Sequence, residues 1–271
     1  MLYRARPKGI QFKSNTELEA MRKAGRLAAE CLQQLCEGAK QGTSTLEIDE
    51  MVQAFCAKHN ATAATLNYKG YPKSCCTSIN EVICHGIPAR AEVLKSGDIV
   101  GIDVTLIVDG FFGDNCATVL VGDVSDSARK LVKTTLEATR AGIYAVKPGA
   151  RLSAVGNAIQ AVADAAKFSV VRDFVGHGIG RAFHEEPQVH HHGNSGANVK
   201  LRPGMTFTIE PMINEGVYDT VVLEDDWTAV TADRKLSAQF EHTIAVTQDG
   251  VELLTVQNGT GDWEVPGLVQ L

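Results

Sequence analysis

The sequence predicts an α+β fold made of two duplicated halves, with helices covering a curved antiparallel sheet. Three observations predict it. The segment Leu94-Lys95-Ser96-Gly97-Asp98-Ile99-Val100-Gly101-Ile102-Asp103 reappears as Leu201-Arg202-Pro203-Gly204-Met205-Thr206-Phe207-Thr208-Ile209-Glu210, an offset of 107. The block from Lys40 to Gln53 returns at Lys147 to Gln160 with the same offset, so the repeat extends well beyond a single strand. In each half, amphipathic helical patterns precede strand-like runs, the order of an α+β domain. Halves related by a pseudo-twofold axis would bring Asp103 and Glu210 together from equivalent strands.

The elements follow in order. Residues 1–13 read as an irregular arm. Thr16 and Glu19 have capping-box spacing and open a helix whose stripe is Leu18, Met21, Ala28, Leu32 and Leu35, stopped at Gly38. Ser44 and Glu47 repeat that spacing before Ile48, Met51, Val52 and Phe55. Ile79 to His85 reads as a strand. Ile99–Val108 and Phe111–Val121 read as a hairpin closed by Asp109-Gly110, a type I′ turn signal. The second half repeats helices at about 127–145 and 152–166, then strands near 170–176, 205–213, 219–224 and 238–247. Residues 14–257 are expected to form one domain, with half-units about 14–125 and 126–257, followed by a 258–271 tail.

Composition narrows the function. The chain has 271 residues, 44% hydrophobic and 21% charged, within the globular range. A net charge of −6 argues against coating nucleic acid. Seven cysteines are an odd number without metal-type spacing, and no run approaches a membrane span. Reduced thiols and the absence of an apolar secretory core predict a cytoplasmic protein.

The hairpin fixes a geometry. With Asp109-Gly110 as the loop, Thr105 lies opposite Asp114 and Asp103 opposite Cys116, all on one face, with neighbouring Cβ atoms about 4.5–8 Å apart. Ile102, Val104 and Leu106 face the core. In the second half Thr206, Thr208 and Glu210 alternate with Phe207 and Ile209, and Glu241 sits within a strand-like run. A lone acid in a strand is ordinarily a solvated edge residue. Four acids assembled by a duplication and a hairpin favour a metal site instead. His177, in Phe174-Val175-Gly176-His177-Gly178-Ile179-Gly180, adds a nitrogen donor, with glycines permitting close approach. Those glycines have the wrong spacing for a nucleotide loop, and Pro187 leaves little room for the helix that such a loop needs. His190-His191-His192 reads as a solvated turn before Gly193-Asn194-Ser195-Gly196. So many carboxylates with one imidazole favour Mn²⁺, Fe²⁺ or Co²⁺ over structural zinc. They suit two ions about 3.5–4 Å apart, the arrangement of metal-assisted hydrolysis.

These residues resemble the type I methionine aminopeptidase family, the pita-bread metallopeptidases, over about residues 10 to 255. The most specific segments are Gly70-Tyr71-Pro72-Lys73-Ser74, the run from Ser78 to Pro88, Gly176-His177-Gly178-Ile179-Gly180, the run from Gly204 to Pro211, and the run from Leu236 to Thr243. The resemblance implies a pita-bread fold and a dinuclear site on Asp103, Asp114, His177, Glu210 and Glu241. Asp114 and Glu241 would bridge two divalent ions, of cobalt, manganese, iron or zinc. Glu210 would shuttle protons, His184 would hold the scissile carbonyl, and His85 would contact the nitrogen after methionine. Tyr68, Tyr71, Cys76, Phe183 and Trp227 would line the methionine pocket.

The implied activity is removal of the initiator methionine from nascent chains with a small second residue, by a monomer whose candidate partner is the ribosome. Membrane binding and nucleic-acid specificity are not expected. By that rule the chain keeps its own Met1, because Leu2 is large. Alternatives are a proline-specific aminopeptidase or prolidase of the same fold, and a non-catalytic binding protein on that scaffold. Four departures stand out. Cys116 replaces a common serine on the expected metal-facing side, which predicts inhibition through its thiol. Thr65 replaces a cysteine at the pocket mouth. The histidine run replaces an apolar stretch, and Asp225-Asp226 stand where glycine is frequent; neither is expected to touch a ligand.

Overall fold

The structure, a computed structural model, describes residues 8–193 and 199–256. Arm residues 1–7, with Met1 and Leu2, lie outside the described residues, as do Asn194-Ser195-Gly196 and the 258–271 tail.

Helix α1 spans Asn15–Gly38 and α2 spans Thr45–His59. Both open on capping boxes, which satisfy N–H groups that the first turn leaves unpaired. In α1 the box is Ser14 with Glu17, two residues before the expected Thr16 and Glu19. The Ser14 hydroxyl accepts from Glu17 N, and the Glu17 carboxylate accepts from Ser14 N at 3.0 Å. Ser44 and Glu47 cap α2 as expected. Met21, Ala28, Leu32, Leu35, Ile48, Val52 and Phe55 are buried, with Leu18 and Met51 packed at the core's margin.

Strand β1 is Thr62–Ala63, β2 Cys76–Ile79, β3 Val82–Cys84, β4 Ile99–Val108 and β5 Phe111–Leu120. The single strand expected at 79–85 is therefore two. Asn80, at φ 54°, turns the chain between them, so β2 joins β4 while β3 enters a different sheet. The β4–β5 hairpin has the expected register, Asp103 with Cys116 and Thr105 with Asp114. Asp109 and Gly110 supply the two positive φ angles of a type I′ turn, 50° and 78°.

The second half has α3 at Asp126–Tyr144 and α4 at Ser153–Ala166. Then come β6 Ser169–Val170, β7 Gly176–Gly178, β8 Glu185–Val189, β9 Thr206–Ile209 and β10 Met212–Asn214. After these run β11 Thr220–Val222, β12 Ala229–Thr231, β13 Ser237–Gln239, β14 Glu241–Val246 and β15 Val251–Leu253. Three runs expected as single strands are each split, at 171–175, at Glu210-Pro211 and at Phe240. Pro211 has no N–H to extend a ladder. The pieces then separate: β7, β9 and β14 belong to the large sheet, while β6, β10 and β13 form a small one.

The large sheet runs β1-β4-β5-β14-β9-β7-β8, with β2 on β4 and β15 on β14. On one side of the β5–β14 seam lies the antiparallel pair β4–β5, and on the other the antiparallel pair β14–β9. That symmetry matches the repeat, in which β4 and β9 are equivalent. Helix α1 packs on β4 and β5, and α3 packs on β9, β10 and β13. Ile102, Val104 and Leu106 lie fully buried in the core, so alternate residues of β4 face the opposite side of the sheet.

Candidate active site

Strand pairing lays a row of side chains across the seam: Cys76 on β2, Asp103 on β4, Cys116 on β5 and Glu241 on β14. Asp114 shares that face two residues before Cys116, and Thr105 Oγ1 donates to its Oδ1 at 2.6 Å. Glu210 follows the last residue of β9 and accepts from Thr208 Oγ1 at 2.5 Å. His177 occupies the middle of β7. One ligand atom each from Asp114, His177 and Glu241 lie within 4.8 Å of one another. The glycines beside His177 let β7 pack closely between its neighbours: a Cβ on Gly176 would sit 2.6 Å from the Thr208 carbonyl oxygen, and one on Gly178 2.1 Å from that of Glu186.

The electrostatics call for a cation. Asp114, Glu210 and Glu241 are 3%, 9% and 2% exposed. Burial pushes Asp103 up to about 7 and Glu210 up to about 8. Burial, then the neighbouring carboxylates, hold Asp114 and Glu241 well above the usual range. Four carboxylates this close cannot all ionise without compensating positive charge. Glu241 Oε1 is buried with no hydrogen-bond partner. His177 Nδ1 lies 3.0 Å from the Gly178 carbonyl and so carries the proton, which leaves the Nε2 lone pair facing the acids. Nε2 is 3.6 Å from Asp114 Oδ2 and 3.7 Å from Glu210 Oε1, beyond hydrogen-bond range. An imidazole lone pair among carboxylate oxygens fits a divalent metal ion.

Those five residues line one cavity of about 290 Å³. Tyr68, Tyr71, Cys76, Phe183 and Trp227 line it too, with His85 and His184, so every site residue expected from the sequence is in its wall. His184 Nδ1 lies 2.9 Å from Tyr68 OH, and its ring is 4.1 Å from that of His177. His85 stands edge-on to Phe174 and Trp227, at 5.5 and 6.0 Å between ring centroids, and burial lowers its pKa. Tyr71 OH donates to the Gly86 carbonyl at 2.8 Å, which fixes its ring in the wall. A larger hollow of about 640 Å³ over the outer face of α1, lined by Lys23, Arg26 and Glu30 among others, is remote from these groups.

One expectation is corrected. His191 is not in a solvated turn: it is 2% exposed, and its Nε2 accepts from the backbone N–H of Glu210 at 3.1 Å. The run therefore does touch an expected ligand. Burial lowers the His191 pKa to about 3, keeping the ring neutral and able to accept. Cys116 holds its register, but its Sγ lies against Gln239, 3.7 Å from Oε1, and takes no part in the cavity wall.

Asp225 accepts from Trp227 N and Thr228 N in the turn that carries Trp227. Thr65 lines the cavity, as do Asp173, Phe174, Val175, Met212 and Lys69, which the sequence reading did not single out. For Phe174 and Val175 the signal was their place immediately before Gly176-His177-Gly178.

Comparison with known proteins agrees with this geometry. Residues 19–248 match the model of metallopeptidase family M24. Methionine aminopeptidase A of Synechocystis sp. is 57% identical over 247 residues, 91% of this chain and 98% of that protein. The crystal structure of methionine aminopeptidase from Rickettsia prowazekii superposes with a TM-score of 0.89 at 48% identity, covering 92% of this chain and all of that one. A prolidase from Pyrococcus horikoshii shares the fold, with a TM-score of 0.71 at 20% identity over 64% of its length. A family match across most of the chain, with close relatives over nearly its full length, places this protein in metallopeptidase family M24.

Proposed function

We infer that the protein is a methionine aminopeptidase, a metal-dependent hydrolase that removes initiator methionine from new chains whose second residue is small. The observation that carries this reading is a single cavity in which His177 and four carboxylates share the wall with aromatic rings and a thiol. An unbranched thioether suits such a wall, because sulfur packs favourably against ring edges.

Asp103, Asp114, His177, Glu210 and Glu241 would hold two divalent ions. Bound there, the ions supply Lewis acidity, polarising the scissile carbonyl and lowering the pKa of water. The protein's own groups do the rest. Glu210 would take and return the proton; burial pushes it up to about 8 in the metal-free protein. Tyr68 OH lies 2.9 Å from His184 Nδ1; with the hydroxyl as donor, His184 would carry its proton on Nε2 and give it to the carbonyl oxygen as charge develops. His85, kept neutral by burial, would contact the nitrogen of the second residue.

Among the described residues no helix is long and apolar enough to cross a membrane. The proposed setting is the cytoplasm, where ribosomes deliver new N-termini.

The test is to strip the protein of metal and restore it with Mn²⁺, Fe²⁺ or Co²⁺. Cleavage is then measured on Met-Ala-Ser, Met-Leu-Ser and an Xaa-Pro peptide. The reading expects cleavage of Met-Ala-Ser, little of Met-Leu-Ser and none of Xaa-Pro. Activity confined to Xaa-Pro would make the protein a prolidase, and no cleavage with any metal would make it a binding protein.

A further inference from the structure

We propose that the buried ion pair between Lys13 and Glu185 is a positioning device for His184. The proposal rests on the aminopeptidase reading, in which His184 acts on the carbonyl.

Lys13 Nζ lies 2.5 Å from Glu185 Oε2, and the two side chains are only 5% and 3% exposed. The other oxygen, Oε1, accepts from Arg181 N at 3.0 Å and Ala182 N at 3.2 Å. One carboxylate thus closes the 180–185 loop on itself. That loop carries Phe183 and His184 into the cavity, whereas Lys13 and Glu185 line none of it. The lysine stem lies flat on Gly180, where a Cβ would come within 2.3 Å of Lys13 Cε and 2.9 Å of Glu185 Oε1. Gly180 O in turn accepts from Phe112 N at 3.0 Å, tying the loop to β5.

The lysine itself is anchored elsewhere. Lys13 N donates to Gly204 O at 2.7 Å, Phe12 bridges Met205, and Ile10 bridges Glu186. A cation held by the arm's backbone therefore sets the place of a carboxylate, which sets the loop, which sets His184 beside Tyr68 and His177.

Stability alone does not call for this arrangement. Taking two charges out of water is costly, and well-packed apolar replacements for buried ion pairs are often neutral or stabilising. A charge pair adds direction that an apolar contact lacks, because a carboxylate accepting from three donors admits one orientation of the loop.

The experiment uses the full-length, metal-loaded enzyme on Met-Ala-Ser, with Lys13→Met and Glu185→Gln, each alone and combined with His184→Asn. Lys13→Met is expected to lower kcat about 10- to 100-fold with KM changed by less than about threefold, the pattern of lost transition-state contacts. In the His184→Asn background the same substitution should change kcat by less than about twofold, because nothing remains to be placed. Effects that multiply independently, or an unchanged kcat with only a lower melting temperature, would overturn the proposal. If Lys13→Met fails to fold, the near-isosteric Glu185→Gln carries the same cycle. A parallel measurement separates this proposal from the function it rests on. The His184 imidazole ¹⁵N resonances, assigned by their loss in His184→Asn, should shift in the ion-pair variants even if wild type cleaves no methionyl peptide. Unmoved resonances would reject the device itself.

Discussion

The backbone N–H of Glu210 donates to Nε2 of His191 across 3.1 Å, inside the core. Replacing His191 with leucine leaves that N–H buried and unpaired, a loss of about 1–3 kcal/mol. Activity should fall with it, since the donor belongs to the residue proposed to move the proton. His191→Gln retains an acceptor and should lose less on both counts. Urea denaturation and turnover of Met-Ala-Ser check this, and a leucine variant equal to wild type in both would refute it.

The raised carboxylates give the metal-free protein a pH dependence of defined sign. Asp103 and Glu210 titrate at about 7 and about 8 when folded, against about 4 in an unfolded chain. Up to pH 8 the folded state holds more protons, so stability falls as pH rises through that range. Below about pH 6.5 the buried His191 and His242, lowered to about 3 and about 4, work the other way. The decline is therefore to be measured between pH 6.5 and 8 in chelator, by melting temperature. Added Mn²⁺ should raise the melting temperature more at pH 8 than at pH 6.5, because its ligands must be deprotonated.

Asp114→Asn should abolish peptidase activity, by at least about 100-fold, through loss of an expected bridging ligand. The same change removes one of four mutually repelling acids, so the metal-free variant should melt no lower than metal-free wild type. Near-normal turnover in metal-loaded enzyme would show that Asp114 is not a ligand.

All seven cysteines are buried and free of disulfides, and burial raises the thiols of Cys76 and Cys116 well above the ordinary range. An aromatic disulfide reagent should label fewer than one thiol per native chain on a minute timescale and all seven after unfolding. Any slow native reaction should begin at Cys76, which lines the cavity. Cys116→Ser should leave sensitivity unchanged, contrary to what the sequence position alone suggests.

Asp226 holds a left-handed φ of 62° in the turn before Trp227, a conformation that glycine adopts without strain. Asp226→Gly should raise stability by about 0.5–1 kcal/mol. Thermal melts test it.

The sequence makes the repeat, both helix pairs and the hairpin register legible because each depends on neighbours in the chain. Thr105 opposite Asp114 follows from counting out from one turn. The split strands were not legible, since the corners at Asn80, Pro211 and Phe240 are set by which sheet each piece joins. His191 escaped for a related reason. Three consecutive polar rings resemble a solvated turn, and only the packed structure shows Glu210 N–H above one of them. The pocket residues were readable through family resemblance, whereas Lys13 and Glu185, 172 positions apart, carry no local pattern that pairs them.

The seam between β5 and β14 divides the proposed ligands unequally by origin. Asp103 and Asp114 come from the first half of the chain, and His177, Glu210 and Glu241 from the second. A metal ion bound across that line is a removable cross-link between two pieces of one polypeptide. Its binding energy is docking energy for the halves, so a chelator would loosen their embrace as well as silence the chemistry. On that ligand set, neither half alone would hold the whole metal site.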